Sequence, residues 1–69
     1  MLVSTRNKIP ARVVGITKGD ATANVELDAA GLRLVAAITV EAADELGLRE
    51  GSEVVALVKA SDMMLAVDG

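Results

Sequence analysis

Apolar and polar residues alternate without a break from Ala21 to Asp28, with Ala21, Ala23, Val25 and Leu27 on one side and Thr22, Asn24, Glu26 and Asp28 on the other. A period of two is that of a strand with one face buried. Ala29-Ala30-Gly31 reads as a turn. A second strand follows from Leu32 to Thr39, with Leu32, Leu34, Ala36 and Ile38 opposite Arg33, Val35, Ala37 and Thr39. Ahead of this hairpin, Ile9 to Lys18 predicts another strand. Ile9, Ala11, Val13, Gly15 and Thr17 share one of its faces, and Arg12, Val14, Ile16 and Lys18 the other. Pro10 has no amide to donate, which suits an edge or a strand entry, and Lys18-Gly19-Asp20 turns the chain.

Glu41 to Leu46 opens with an acid and continues with helix formers, and Gly47 fits the position just past a helix end. One or two helical turns are expected there. Arg49-Glu50-Gly51-Ser52 forms a turn, Glu53 to Lys59 a strand, and Met63 to Val67 a short fifth strand. Five strands with a short helix ahead of the penultimate one predict an all-β chain. The expected architecture is a small five-stranded OB-like Greek-key barrel with one short helix, forming a single domain over residues 1–69.

In a barrel with one packed interior the outer positions should be polar. Here Val14, Ile16, Val35, Ala37, Val55 and Leu57 are left over on outer faces, more than a soluble monomer usually exposes. Size points the same way. A chain of 69 residues and 7.1 kDa is expected to expose roughly 4,100 Å² when folded and to bury only about 60% of its extended surface. Disulfides, a structural metal and oligomerisation are the usual remedies. The chain has no Cys and no His, which leaves oligomerisation. Apolar runs fall well short of the ~20 residues that span a bilayer, and residues 1–6 carry no leader pattern. A soluble, cytoplasmic protein without a membrane partner is expected.

The missing His and Cys also remove Ser-His-Asp and Cys-His catalysis, and no phosphate-binding glycine motif occurs. Asp44/Glu45 and Glu50/Glu53 read as solvated surface charge, so no enzyme activity is expected. Charge is unevenly spread. Arg6, Lys8, Arg12 and Lys18 fall within the first 19 residues without an acid, whereas all ten acids follow them, and the net charge is −3. A nucleic-acid-binding OB domain would need aromatic platforms and a basic groove. The chain has no Phe, Tyr or Trp, so no nucleic-acid partner is expected. A purely structural oligomerisation module is the other alternative.

Two segments hold donors that folding does not explain: Ser4-Thr5-Arg6-Asn7 and Lys59-Ala60-Ser61. Arg supplies a fork of donors, Lys a point charge, and Ser and Thr hydroxyls that rotate into place. With main-chain amides they would line a cavity made of donors, suited to a fully deprotonated tetrahedral dianion.

At these residues the chain resembles the molbindins, the small Mop-type molybdenum-pterin-binding or molybdate-binding proteins of the TOBE/Mop domain family. The resemblance starts at the S-x-R-N opening and continues through Lys18-Gly19, Val25-Glu26-Leu27-Asp28 and Val35-Ala36-Ala37-Ile38-Thr39. It then runs through Glu45-Leu46-Gly47-Leu48, residues 51–61 and the closing Met63-Met64-Leu65. It implies an OB-like barrel assembled as a hexamer, a trimer of dimers. The assembly would hold molybdate or tungstate at subunit interfaces for storage and homeostasis, with no protein side chain as a direct metal ligand and no organic cofactor. One interface site in that family draws on the S-x-R-N segment of one subunit and on the K-x-S segment and a strand-end Thr of another. Carried over, it selects Ser4, Thr5, Arg6, Thr39, Lys59, Ala60 and Ser61. A second class of site near the three-fold axis uses the hairpin after the first long strand, here Lys18, Gly19, Ala21, Thr22 and Asn24. Asp20 in that hairpin departs from what a dianion would sit beside.

Overall fold

The alternation of the second strand appears directly as burial: Ala23, Val25, Leu27 and Ala29 are buried while Thr22 and Asn24 are exposed. The computed structural model describes residues 6–69. Its strands are β1 (Asn7–Lys18), β2 (Thr22–Ala29), β3 (Leu32–Thr39) and β4 (Glu53–Val58). They form one antiparallel sheet in the order β3-β2-β1-β4. A helix, α1 (Val40–Glu45), links β3 to β4, and a 3-10 turn at Ala60–Asp62 follows β4. Between β2 and β3 the chain reverses at Ala30 and Gly31, with φ of 52° and 91°. Two successive positive φ values make the loop that matches strand twist in a two-residue hairpin. Gly31 adopts this freely, whereas Ala30 is strained.

β1 is shared by two halves of the sheet. Its first half pairs with β4, from Asn7 opposite Val58 to Arg12 opposite Glu53. Its second half pairs with β2, from Arg12 opposite Asp28 to Lys18 opposite Ala23. Within that second half the register slips, from Val13 opposite Leu27 to Gly15 opposite Glu26, leaving Val14 as the extra residue of a β-bulge. A bulge bends its strand and reverses the face of every later residue. Ile16, expected on the outer face, is therefore turned inward, pairs with Val25 and packs on the core of Val13, Val25 and Leu27. Lys18 is carried to the same side. The expected outer residues Val14, Val35, Ala37, Val55 and Leu57 are exposed.

α1 closes one end of this curled sheet with the buried Ala43. Thr39 caps it, its Oγ1 accepting from the Ala42 amide at 3.0 Å, and the Val40 amide donates to the Ala21 carbonyl at 2.9 Å. The helix ends at Gly47, φ 64°, where the Leu48 amide reaches back to the Ala43 carbonyl, the left-handed stop that the glycine signalled. The next loop is pinned to β1 by two bonds, Val13 N–H to Ser52 O at 2.9 Å and Gly51 N–H to Val13 O at 2.8 Å.

The expected fifth strand is not part of its own chain's sheet, which has four strands. After the 3-10 turn, residues 63–69 are irregular, and Met64, Leu65 and Val67 are 91%, 92% and 94% exposed. Met63 to Val67 is an unbroken apolar run, and among the described residues no strand pairs with it. β3 and β4 are consequently the two edges of the sheet. An apolar groove of about 600 Å³ lies between them, reaching from Leu34 and Ile38 to Val54 and Ala56, with Met63 at its margin.

Replacing Ala30 by Asn should relieve the hairpin strain and raise stability by about 1 kcal/mol, or about 4–8 °C in melting temperature for a domain of this size. Leu27→Ala should cost about 2–5 kcal/mol, read as a lowered urea midpoint.

Candidate functional site

The β1–β4 ribbon ends at the pair Asn7 and Val58, and the Asn7 Nδ2 donates to the Val58 carbonyl at 3.0 Å. This bond ties the ribbon shut. Arg6 immediately precedes the pair and Lys59 immediately follows it, so both cations lie at the same end of the ribbon, one residue beyond its last paired position. The chain then winds into the 3-10 turn, with the Asp62 amide on the Lys59 carbonyl at 2.9 Å and the Met63 amide on the Ala60 carbonyl at 3.3 Å. The first amides of a helical turn, here those of Ala60 and Ser61, have no partner within it. Arg6, Lys59, Ala60 and Ser61 are all exposed. Among the described residues neither Arg6 nor Lys59 forms an ion pair. Lys8, on the same ribbon, adds to the positive charge. Ser4 and Thr5 lie outside the described residues.

The remaining predicted residues gather at the other end of β1. Thr39 is the partner of Thr22 across β2 and β3, beside the turn at Gly19 whose amide donates to the Thr22 carbonyl at 2.8 Å. Ala21 gives its carbonyl to Val40, and Thr22 and Asn24 are exposed. Lys18 does not stand free. Its Nζ lies 2.8 Å from Asp44 Oδ1 on α1. Thr39 and Lys59 are therefore separated by the length of a 12-residue strand. One chain places Arg6, Lys59, Ala60 and Ser61 at one end of β1 and Thr39 with the hairpin group at the other.

Chemically, the Arg6–Lys59 end carries two cations that form no ion pair among the described residues, a Ser hydroxyl and the first amides of the 3-10 turn. No group of three or more Asp or Glu side chains able to hold a metal ion occurs among the described residues. Two features escaped the sequence reading. Asn7, taken as one of the donors, spends its amide on the strand pair. The Lys18–Asp44 pair joins residues 26 apart, and it arises from the bulge that turns Lys18 inward.

A protein-family model described as the TOBE domain matches residues 3–65. Molybdenum-pterin-binding protein 2 of Clostridium pasteurianum is 41% identical over 66 residues, which cover 94% of this chain and 97% of that protein. The high-resolution structure of a molybdate-binding protein from Sporomusa ovata superposes with a TM-score of 0.94 at 43% identity, covering 97% of this chain and all of that one. The structure of MopII from Clostridium pasteurianum gives a TM-score of 0.90 at 39% identity, covering 96% and 100%.

Two like charges at the same end of a strand pair are destabilising by a few tenths of a kcal/mol. Without bound anion, Lys59→Ala should therefore raise stability slightly at low salt, with the gain vanishing at about 0.5 M salt as screening takes over. Asn7→Ala should instead lower stability by about 0.5–1.5 kcal/mol at either salt. Urea titration at both salt concentrations checks the contrast.

Proposed function

The chain belongs to the TOBE domain family, and from that premise we propose that it binds molybdate at sites shared between subunits of a homo-oligomer, without transforming it. What supports this reading is the place of Arg6 and Lys59 in the chain, each one residue beyond the Asn7–Val58 pair that ends the β1–β4 ribbon and neither in an ion pair among the described residues. Cations converge in this way at a cost in stability that an anion reverses. Ser61 and the amides of Ala60 and Ser61 supply neutral donors in the same turn, and Ser4 and Thr5 extend the group along the chain. Thr39 is supplied by a neighbouring copy. Its Oγ1 accepts from the Ala42 amide, which leaves its own hydrogen to donate.

A tetrahedral dianion without protons suits a set of groups that all donate. Tungstate has the same charge and shape and is expected to bind as molybdate does. Phosphate near neutral pH carries protons that need an acceptor, so it should compete less well than sulfate. The relatives' name mentions a pterin, but this chain has no aromatic residue on which one would stack. The role we assign is a cytoplasmic reserve of the oxyanion.

The surface supports an oligomer. The described residues expose 5567 Å², against roughly 4,100 Å² for a compact chain of this mass. The excess approaches twice the ~800 Å² that each partner contributes to a standard interface. The open groove between β3 and β4 needs an extended apolar segment with free backbone groups, and residues 63–67 are such a segment without a place in their own chain. Exchange of this segment between two copies completes a fifth strand in each. The outer residues Val35, Val55 and Leu57 then remain for contacts between dimers, consistent with a hexamer built as a trimer of dimers.

Native mass spectrometry combined with metal analysis tests the proposal. The expected result is an assembly larger than a dimer that retains molybdate, with truncation after Asp62 yielding monomers. Charge-assisted hydrogen bonds contribute about 1.5–3 kcal/mol each, so Arg6→Ala or Lys59→Ala should weaken binding roughly 10- to 100-fold, and Ser61→Ala only several-fold. A stable monomer at micromolar concentration, or binding indifferent to both cations, would refute the reading.

A further inference from the structure

Arg12 is where β1 changes partners, and it is the one residue of that strand paired on both sides: with Asp28 on β2 and with Glu53 on β4. Asp28 is in turn opposite Arg33 on β3. One row therefore crosses all four strands as Arg33, Asp28, Arg12 and Glu53, with the sign of charge alternating from edge to edge. Their chain neighbours Val13, Leu27, Leu34 and Val54 belong to the core, so the row lies on the outer face of the sheet. Arg33 reaches along that face to Glu26 at 2.9 Å. Arg12, Asp28 and Glu53 form no ion pair and no side-chain hydrogen bond among the described residues. These three border a hollow of about 670 Å³ that Pro10 and Val55 also line. Apolar side chains flank the row, with Val35 52% and Val55 44% exposed.

We infer that this face docks on the same face of a second copy, with Arg12 of each opposite Asp28 of the other. A two-fold axis parallel to the strands, midway between β2 and β1, keeps the row on itself and reverses the strand order. An alternating row of even length turned in this way meets the opposite sign at every position: Asp28 on Arg12 and Arg33 on Glu53, each twice. Because the sheet is curled, the central Arg12–Asp28 contacts come closest. The row has no net charge, whereas the chain carries −3. Two chains therefore repel at long range, where salt screens them, and match at short range on this face. The same rotation sets the turn at Ala30 and Gly31 over Pro10 and Val55, so a protruding hairpin tip meets the hollow. Exposed ion pairs add little affinity by themselves. Their part is to fix the register and exclude other orientations, while the flanking valines supply apolar area. The contact joins dimers to one another; it rests on the proposed segment exchange for the dimer and owes nothing to the oxyanion.

The experiment uses the full-length chain with Arg12→Asp and Asp28→Arg as separate variants, their masses read by native mass spectrometry and light scattering at low salt. Each variant sets like charges together at both central contacts, which should weaken the association of dimers roughly 100-fold and leave a particle of two chains. Refolded together from urea in equal amounts, the two variants should regain the wild-type mass in particles holding equal numbers of each. Every contact between unlike chains then joins opposite charges again. Each variant keeps the same like-charge pair across its own strands whether alone or mixed, so recovery reports contact between chains and not repaired folding. Arg12→Gln, which removes the attraction without adding repulsion, should weaken association several-fold. Charge-reversed variants that keep the wild-type mass overturn the inference. So does a mixture of folded variants that stays at two chains, or an Arg12→Gln protein that dissociates at the wild-type concentration. Failure of the functional proposal looks different: an intact wild-type assembly that retains no molybdate.

Discussion

The structure depends on a single strand that serves two partners. β1 gives its first half to β4 and its second half to β2, and the bulge at Val14 lets one strand bend enough to do both. Without the bulge, Ile16 would face solvent and the core of Val13, Val25 and Leu27 would lose a neighbour on its α1 side. The same irregularity aims Lys18 at α1. It therefore sets the packing of the interior and the electrostatic character of one end of the molecule.

That division of labour separates the two ends. At the start of β1 the ribbon is clamped by Asn7 and flanked by Arg6 and Lys59, neither in an ion pair among the described residues. At its finish the chain is capped by Thr39, closed by Ala43 and neutralised by Asp44. A site that needs both Lys59 and Thr39 therefore needs two chains, and the open edges at β3 and β4 offer a way for two chains to associate. On the proposed reading, association of subunits and sharing of the site have a common origin in the open edges of the four-stranded sheet.

Much of this was legible in the residues. β3 was located to the residue, β2 within one at each end, and α1 within one residue, because a clean period of two and a terminal glycine at Gly47 are local signals. Outer apolar positions such as Val35 and Leu57 were legible for the same reason. Ile16 and Lys18 were assigned to the wrong face because a bulge inserts one residue into a period that a reader must assume unbroken. Residues 63–67 are a short apolar run that reads as a strand by composition, but such a run does not say whether it finds a partner. Arg6 and Lys59 drew attention by their chemistry and by a family resemblance. Their placement at one end of the same ribbon needed the β1–β4 register, which pairs residues 51 apart and leaves no local trace.

The turn Ala60–Asp62 has a consequence for how occupancy responds to supply. On the proposed reading it directly joins Lys59, which would face the anion, to the segment that reaches into the next subunit. Ligand capture and subunit exchange then share three residues, and neither equilibrium is independent of the other. By linkage, raising the concentration of the chain favours assembly and with it the affinity of each site. Synthesis of more protein under such a law enlarges the reserve and also deepens it, holding each ion more tightly; dilution loosens both together.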